Sequence, residues 1–404
     1  MDKNCNSSSN KLVEACLVLF GIALIPISLF ARNLNDTSHF KPGLPIPTGK
    51  YRIATRNFYI VDSSRFDSSG NHFGRNLNFQ IWYPAASNHI GSVNYVSPEL
   101  DRAMVQDKYN NIDSSTLTEW MKLPVNVALN GTSFRGRKFP LLFFLHGFGM
   151  SRASYTSIVA QLASDGYIVL SFDSPRSGLM VLPHGQILYT VYDGKPDRKC
   201  ESMAADASFL LSWVKKNAQT IFGEIRSPID LNKVGILGHS LGGAAALQAC
   251  RNDDRFASAV DLDGDPFGKV ADSGLKKNTL VLLNEPNYPP ERFKEPGSKY
   301  SWDSMGLERK NIWLNVFRKN KTVGSYAIRI NGTNHFTFTD FPFLTIQYYR
   351  NPNAGIIIER LRGLKIITEC IESFFTICFE GQKSEKIGAI AANYPETNLY
   401  ISNQ

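Results

Sequence analysis

The chain has 404 residues, 43% of them hydrophobic and 20% charged, and a formal net charge of +8 at pH 7. These proportions exclude an intrinsically disordered protein and predict one large globular domain. The lysines and arginines are scattered in short pairs, which indicates a solvated surface and no nucleic-acid partner. The seven histidines lack the spacings of common zinc sites and no C-x-x-C pair occurs, so we expect neither a metal nor a cofactor.

The N-terminal segment is apolar and contains no charged residue from Ala15 to Ala31. This length lies between the core of a signal peptide and a short membrane span. Two interpretations of residues 1–31 are therefore open, a signal peptide and an N-terminal membrane anchor. Because Lys3 and Lys11 precede the segment, the positive-inside rule predicts an exported protein, secreted or membrane-anchored with the rest of the chain outside the cytoplasm.

A linker over 32–50 follows and contains the proline-rich stretch FKPGLPIPTG. We expect one folded domain to cover 51–380 and a C-terminal tail to cover 381–404. The domain begins with two alternating stretches, YRIATRNFYIVD and NLNFQIWYP, which are typical of antiparallel strands.

Short continuous apolar runs then alternate with helical patterns. Such runs are typical of strands covered on both faces, and their alternation with helices predicts an α/β fold with a mostly parallel sheet. Three long insertions, over 84–138, 174–199 and 284–322, are expected to form the walls and cap of a pocket. The apolar runs are FPLLFFLHG (139–147), YIVLSFDSP (167–175), LNKVGILGHS (231–240), ASAVDLDGD (257–265), NTLVLLNE (278–285) and SYAIRINGT (325–333).

Ser240 lies in the sequence GHSLG, between a predicted strand and a helical pattern that begins near Leu241. A nucleophilic serine needs a sharp strand-to-helix turn that exposes its hydroxyl. Gly238 and Gly242 permit the close approach of the chain that such a turn requires. We therefore predict that Ser240 is a catalytic nucleophile.

A nucleophilic serine needs a base, and the base needs a carboxylate that orients it. His335 follows the last predicted strand and is the expected base, whereas His146 is expected to have a structural role in its loop. Two strand ends offer the carboxylate, Asp263 and Glu285, and the residues alone leave both open.

An oxyanion hole needs two backbone N–H groups that point at the developing negative charge. Leu241, directly after the serine, is expected to supply the first. The loop HGFG after an earlier strand is expected to supply the second, from Phe148. Because loss of one such donor costs on the order of 10² to 10³ in rate, this loop matters as much as a side chain.

With these residues the chain resembles the plasma and intracellular type II platelet-activating factor acetylhydrolases, which are serine enzymes with the α/β-hydrolase fold. The resemblance favours Asp263 over Glu285, because that family places the acid soon after the nucleophile. It extends from about residue 45 to 345 and includes the stretches IPTGKYRI, FPLLFFLHGFGMSRASYTSIVAQLASDGYIVLSFD, GHSLGG, DLDGDPFG and GTNHFTFTDF.

The resemblance implies calcium-independent hydrolysis of short or oxidised acyl chains at the glycerol sn-2 position. The insertion over 84–138 shows little likeness, so a general carboxylesterase or a cutinase-like polyester hydrolase is an alternative. A hydrolase-fold binding protein without activity is a further alternative, against which the presence of Ser240 and His335 argues. A lipid substrate also requires that the protein reach a membrane or lipid-particle surface. The net positive charge and the apolar stretch 178–192 are candidates for binding such a surface. The alternative is that 178–192 caps the pocket.

Overall fold

The strands contain the continuous apolar runs seen in the sequence, and most of their side chains are buried. The computed structural model describes residues 41–66, 74–86, 90–106, 114–128, 131, 134, 137–222, 229–284, 312–313, 315–319, 324–345, 358–381 and 385–401. The strands are β1 (Arg52–Asp62), β2 (Arg75–Ala85), β3 (Ile90–Asn94), β4 (Pro124–Ala128), β5 (Phe139–Leu145), β6 (Ile168–Asp173), β7 (Met180–Val181), β8 (Ile187–Leu188), β9 (Ile229–His239), β10 (Ser258–Leu262), β11 (Asn278–Asn284), β12 (Ser325–Ile330) and β13 (Thr397–Ile401). The helices are α1 (Pro98–Gln106), α2 (Ser114–Met121), α3 (Thr156–Asp165), α4 (Pro196–Phe222), α5 (Leu241–Asn252), α6 (Gly268–Ser273), α7 (Phe341–Leu344), α8 (Arg360–Glu380) and α9 (Glu385–Asn393).

Nine strands form one sheet in the order β1-β2-β6-β5-β9-β10-β11-β12-β13. The pairings from β6 across to β12 are parallel, and those of β1, β2 and β13 are antiparallel. The predicted α/β architecture with a mostly parallel sheet is therefore confirmed. Its consequence is that six strands, β5, β6, β9, β10, β11 and β12, end at the same edge of the sheet.

The two faces of the sheet carry separate apolar cores. In β5, Leu141 and Phe143 pack in the core that includes α4 and α5, whereas Leu142 and Phe144 pack in the core that includes α3 and α8. Successive side chains of a strand point to opposite faces, so helices cover both sides of the sheet. Burial of each such side chain stabilises the fold by about 1.5–3 kcal/mol.

The C-terminal residues extend the domain beyond the predicted boundary at 380. Helix α9 and strand β13 both lie in the segment 381–404, and β13 pairs with β12 as the last strand of the sheet. At the other end, the linker packs on the domain, since the amide of Gly43 donates to the carbonyl of Phe343 at 3.0 Å. Residues 1–31 lie outside the described part of the chain. Within the described part, no helix is long and apolar enough to cross a membrane.

The insertions form small elements around the sheet. The first, over 84–138, contains the antiparallel pair β3–β4, with α1 and α2 between these strands in the chain. The second, over 174–199, contains the β7–β8 hairpin, in which Met180 and Leu188 are buried against each other. Most of the third, over 284–322, lies outside the described residues.

A buried ion pair joins β2 to α4 beneath the second insertion. The guanidinium of Arg75 donates to both carboxylate oxygens of Asp206, at 2.5 and 2.6 Å, and the hydroxyl of Ser174 donates to the same carboxylate at 2.6 Å. Arg75 is 4% exposed and Asp206 is fully buried. The pair neutralises two buried charges and fixes the start of the loop that follows β6.

Candidate active site

The structure brings all five predicted site residues to the edge of the sheet where the parallel strands end. Ser240 and Leu241 follow β9, and Phe148 follows β5. Asp263 follows β10, and His335 lies a few residues after β12. Residues from four separate parts of the chain therefore meet at one edge of the sheet.

Ser240 occupies a sharp turn between β9 and α5. Its backbone has φ 56° and ψ −125°, which non-glycine residues rarely adopt. The turn is held because the amide of Ser240 donates to the carbonyl of Leu262 on the neighbouring strand at 2.9 Å. The residue is half-buried. This is the geometry that a nucleophilic serine needs, because it separates the side chain from the strand and the helix on either side.

Glycines allow the turn because β9, α5 and the loop after β5 nearly touch. A Cβ atom on Gly238 would lie 2.3 Å from the carbonyl oxygen of Gly242. A Cβ on Gly242 would lie 2.4 Å from the carbonyl oxygen of His146, and one on Gly243 would lie 2.0 Å from Oδ1 of Asp261. Any larger residue at these three positions would push the serine turn away from its neighbours.

Asp263 and His335 form a hydrogen bond, although 72 residues separate them in the chain. Nδ1 of His335 donates to Oδ2 of Asp263 at 2.6 Å. The other carboxylate oxygen accepts the amide of Asn284 at 2.9 Å, and Asp263 is 2% exposed. The bond holds the proton of the imidazole on Nδ1 and leaves Nε2 as the basic nitrogen. Glu285, the other candidate acid, lies outside the described residues.

The loop that carries His335 is fixed on both sides. Asn334 caps the short 3₁₀ helix His335–Phe338, and its side chain accepts the amide of Phe336 at 2.9 Å. Further along, the buried carboxylate of Asp340 accepts the amides of the first two residues of α3, at 2.8 and 2.9 Å. The position of the imidazole is therefore set by backbone hydrogen bonds that are independent of Asp263.

The HGFG loop, residues 146–149, lies directly against the serine. A Cβ atom on Gly147 would be 3.4 Å from Cβ of Ser240. The segment after β6 supports this loop, since the amide of Gly149 donates to the carbonyl of Ser177 at 2.9 Å. Leu241 is the first residue of α5, where amides have no acceptor within the helix. The role of Phe148 and Leu241 as oxyanion donors stays a prediction, and both belong to segments that adjoin Ser240.

His146 is a buried histidine that holds the start of the same loop. Its Nδ1 donates to the carbonyl of Gly147 at 2.7 Å, and its Nε2 accepts the amide of Ser174 at 3.0 Å. Burial lowers the pKa of His146, so the ring is neutral at pH 7. These contacts agree with the structural role expected for this residue.

A buried hydrogen-bond chain that no sequence pattern indicates passes through Tyr155 and His239. The amide of Gly147 donates to the hydroxyl of Tyr155 at 2.8 Å, and that hydroxyl lies 2.9 Å from Nδ1 of His239. Nε2 of His239 donates to the carbonyl of His335 at 2.9 Å. The chain therefore joins the loop next to the serine to the backbone of the predicted base.

The protonation states of this chain follow from its burial. Burial, with a further contribution from His335, lowers the pKa of His239 well below its usual value, so the ring is neutral. Burial raises the pKa of Tyr155, so the phenol keeps its proton. Sδ of Met150 lies 2.9 Å from the same hydroxyl, but a thioether is a weaker acceptor than an imidazole nitrogen. Tyr155 therefore donates to His239, and His239 donates to His335.

The arrangement has the parts required for acyl transfer. It has a serine in a strained turn, a histidine oriented by a buried carboxylate, and a loop against the serine that can offer backbone amides. Within the described ranges, no three His, Cys, Asp or Glu side chains are grouped in a way that could hold a metal ion.

Replacement of Tyr155 tests whether the buried chain positions the site. In Tyr155→Phe the amide of Gly147 and Nδ1 of His239 lose their partner, so we expect kcat for a water-soluble ester to fall by roughly ten- to a hundredfold. Tyr167→Phe is the control, because this buried hydroxyl contacts α8 through Thr376 at 3.4 Å. Steady-state kinetics on both folded variants checks the expectation, and equal losses would contradict it.

Two family models match the chain. The alpha/beta hydrolase family model matches residues 142–325, which contain the predicted nucleophile and acid. The model of platelet-activating factor acetylhydrolase, isoform II, matches residues 75–176, which contain the HGFG loop. The two matches overlap in β5, α3 and β6.

Relatives and a solved structure extend these matches. The chain is 22% identical over 377 residues to a probable 1-alkyl-2-acetylglycerophosphocholine esterase of Arthroderma benhamiae, and the aligned region covers 87% of this chain and 92% of that protein. It is 26% identical over 258 residues to the platelet-activating factor acetylhydrolase of Cavia porcellus, which covers 57% of this chain and 53% of that protein. A ferulic acid esterase from Streptomyces cinnamoneus has the same fold, with a TM-score of 0.70 at 23% identity over 89% of this chain and 99% of that chain.

The fold, the family models and the relatives agree with one another. The sheet order and the serine turn are those of the predicted α/β-hydrolase fold, and the predicted resemblance is confirmed by matches that together extend over most of the chain. The chain has the α/β-hydrolase fold and is similar in sequence to the platelet-activating factor acetylhydrolases.

Proposed function

We propose that the protein is a serine ester hydrolase that forms an acyl-enzyme on Ser240. The observation that carries this proposal is the hydrogen bond from His335 to Asp263 at the same sheet edge as the strained turn of Ser240. The relatives support ester hydrolysis, because two of them are named as acetylhydrolase or esterase.

Each group has a defined part in the proposed reaction. Oγ of Ser240 attacks the carbonyl carbon of the ester while Nε2 of His335 takes its proton, and Asp263 stabilises the resulting imidazolium. The amides of Leu241 and Phe148 donate to the oxyanion. His335 then gives the proton to the leaving alcohol, and in the second half it activates the water that releases the acid.

We further propose that the substrates are glycerophospholipids with a short or oxidised acyl group at sn-2, cleaved without calcium. The names of the relatives in Arthroderma benhamiae and Cavia porcellus support this class. A general carboxylesterase or a cutinase-like polyester hydrolase would use the same catalytic residues, so the choice of substrate depends on the walls of the pocket. A substrate series therefore separates these possibilities.

A lipid substrate makes a membrane or lipid-particle surface the proposed partner. In the stretch 178–192, the side chains of Leu179, Met180, Leu182 and Leu188 are at most 9% exposed, which supports the pocket-cap interpretation. Its large apolar side chains that are exposed, and so available for lipid, are Val191 and Tyr192, at 41% and 40%. Export of the protein is a separate proposal that depends on residues 1–31.

The identity of the acid can be tested by two substitutions. We expect Asp263→Asn to lower kcat for a water-soluble ester by roughly 10⁴-fold, because the amide no longer selects the correct tautomer of His335. Glu285→Gln is the matched control and should change kcat little. Steady-state kinetics measures both, and the reverse result would assign the acid to Glu285.

The proposed substrate class can be tested with phospholipids that differ only in the sn-2 chain. We expect kcat/KM to be highest for acetyl and to fall at least tenfold for palmitoyl, because the proposed class has a short acyl group at sn-2. Calcium and a chelator should give the same rates. A chain-length profile that is flat, or that favours palmitoyl, would contradict the proposed class and favour a less selective esterase.

A further inference from the structure

Backbone strain marks a third position besides the proposed nucleophile and acid. Among the described residues, the non-glycine residues with positive φ are Ser240 at 56°, Asp263 at 58° and Arg176 at 66°. Such backbones cost free energy and persist where the surrounding structure holds them, often at functional sites. Arg176 lies in the loop after β6, at the same sheet edge as Ser240.

Contacts on both sides hold Arg176 beside the oxyanion loop. Its carbonyl accepts the amide of Val191 at 3.0 Å and Nζ of Lys199 at 3.3 Å. The carbonyl of the next residue, Ser177, accepts the amide of Gly149 at 2.9 Å. Arg176 therefore connects the HGFG loop to the start of α4.

Lys199 is a buried cation at the same place. It is 8% exposed, and its Nζ lies 5.7 Å from the ring centre of Phe148, the proposed oxyanion residue. The carboxylate with which it pairs, Asp193, is 3.8 Å away, longer than a direct hydrogen bond. Burial lowers the pKa of Lys199; Asp193 opposes this shift, and nearby positive charges, that of Arg176 among them, add to it.

The positive charge at this place is only partly neutralised by the protein. Nε of Arg176 is buried without a hydrogen-bond partner in the described part of the chain. The neighbouring Arg75, by contrast, donates two short hydrogen bonds to Asp206. Lys199 is buried and Arg176 is partly exposed. A buried cation is costly unless an anion or strong acceptor faces it, so an anionic ligand beside Lys199 and Arg176 would be stabilised.

We propose that Arg176 and Lys199 form a subsite that binds the phosphate group of the ester substrate. A guanidinium and an ammonium are the cations with which proteins bind phosphate oxygens. Because Lys199 lies over the ring of Phe148, a phosphate held there is close to the amide that receives the oxyanion. The subsite rests on the proposed function, since the phosphate belongs to the ester that Ser240 cleaves.

Two esters that differ in one group test the subsite. One is a soluble 1-alkyl-2-acetylglycerol with phosphocholine at sn-3, and the other is the same acetylglycerol with a free hydroxyl. We expect Arg176→Gln and Lys199→Gln each to lower the ratio of kcat/KM for the phosphocholine ester to that for the neutral ester at least tenfold. Arg198→Gln is the control, because this exposed cation precedes Lys199 in α4, and its ratio should match that of the wild type.

Inhibition by inorganic phosphate is a second measurement. It shows whether the subsite binds the free anion as well as the phosphate group of the ester. We expect inorganic phosphate to compete with the phosphocholine ester in the wild type, with an inhibition constant at least tenfold higher in Lys199→Gln. This measurement still tests the subsite if Arg176→Gln fails to fold. Equal inhibition constants, or unchanged substrate ratios in both variants, would overturn the subsite alone. If the wild type cleaved neither ester, the proposed function would fail and the subsite with it.

Discussion

The close contact between β9, α5 and the loop after β5 is the constraint on which the rest of the site depends. Gly238 and Gly242 leave no room for a Cβ atom, since a Cβ at either position would lie within 2.4 Å of a backbone carbonyl oxygen. This contact forces Ser240 into its rare backbone conformation and places it against Gly147. The strain is stored in a turn that two buried strands and a helix hold on every side, so the serine has little freedom to move.

Hydrogen bonds then couple the loops that surround the serine. His239, the residue before Ser240, contacts Tyr155 on one side and the carbonyl of His335 on the other. Tyr155 in turn receives the amide of Gly147. Loops that are far apart in the chain are thus aligned by neutral, fully buried groups, whose geometry does not depend on ionic strength. Catalysis by proximity needs alignment of this kind, because small displacements of a base or donor have large effects on rate.

Much of the fold and the site could be predicted because strong local patterns carry them. Continuous apolar runs identified the parallel strands, and the ends of such strands must meet at one edge, which brought Asp263 and His335 near Ser240. The role of β13 was missed, since TNLYI is short and follows what looks like the last helix. The role of Tyr155 was missed for a different reason. Its contact with His239 joins positions 84 residues apart in the chain, and no local sequence pattern predicts such a contact. The apolar stretch 178–192 was ambiguous because composition alone does not tell whether its side chains face lipid or one another.

Covalent labelling is a direct test of whether Ser240 is the nucleophile. The folded wild-type protein is treated with a fluorophosphonate, digested and mapped by mass spectrometry. We expect one adduct, on Ser240, that forms rapidly in the wild type, slowly in Asp263→Asn and not at all in Ser240→Ala. The thermal unfolding of Ser240→Ala should match that of the wild type. An adduct on another residue, or labelling that survives Ser240→Ala, would contradict the claim that Ser240 is the nucleophile.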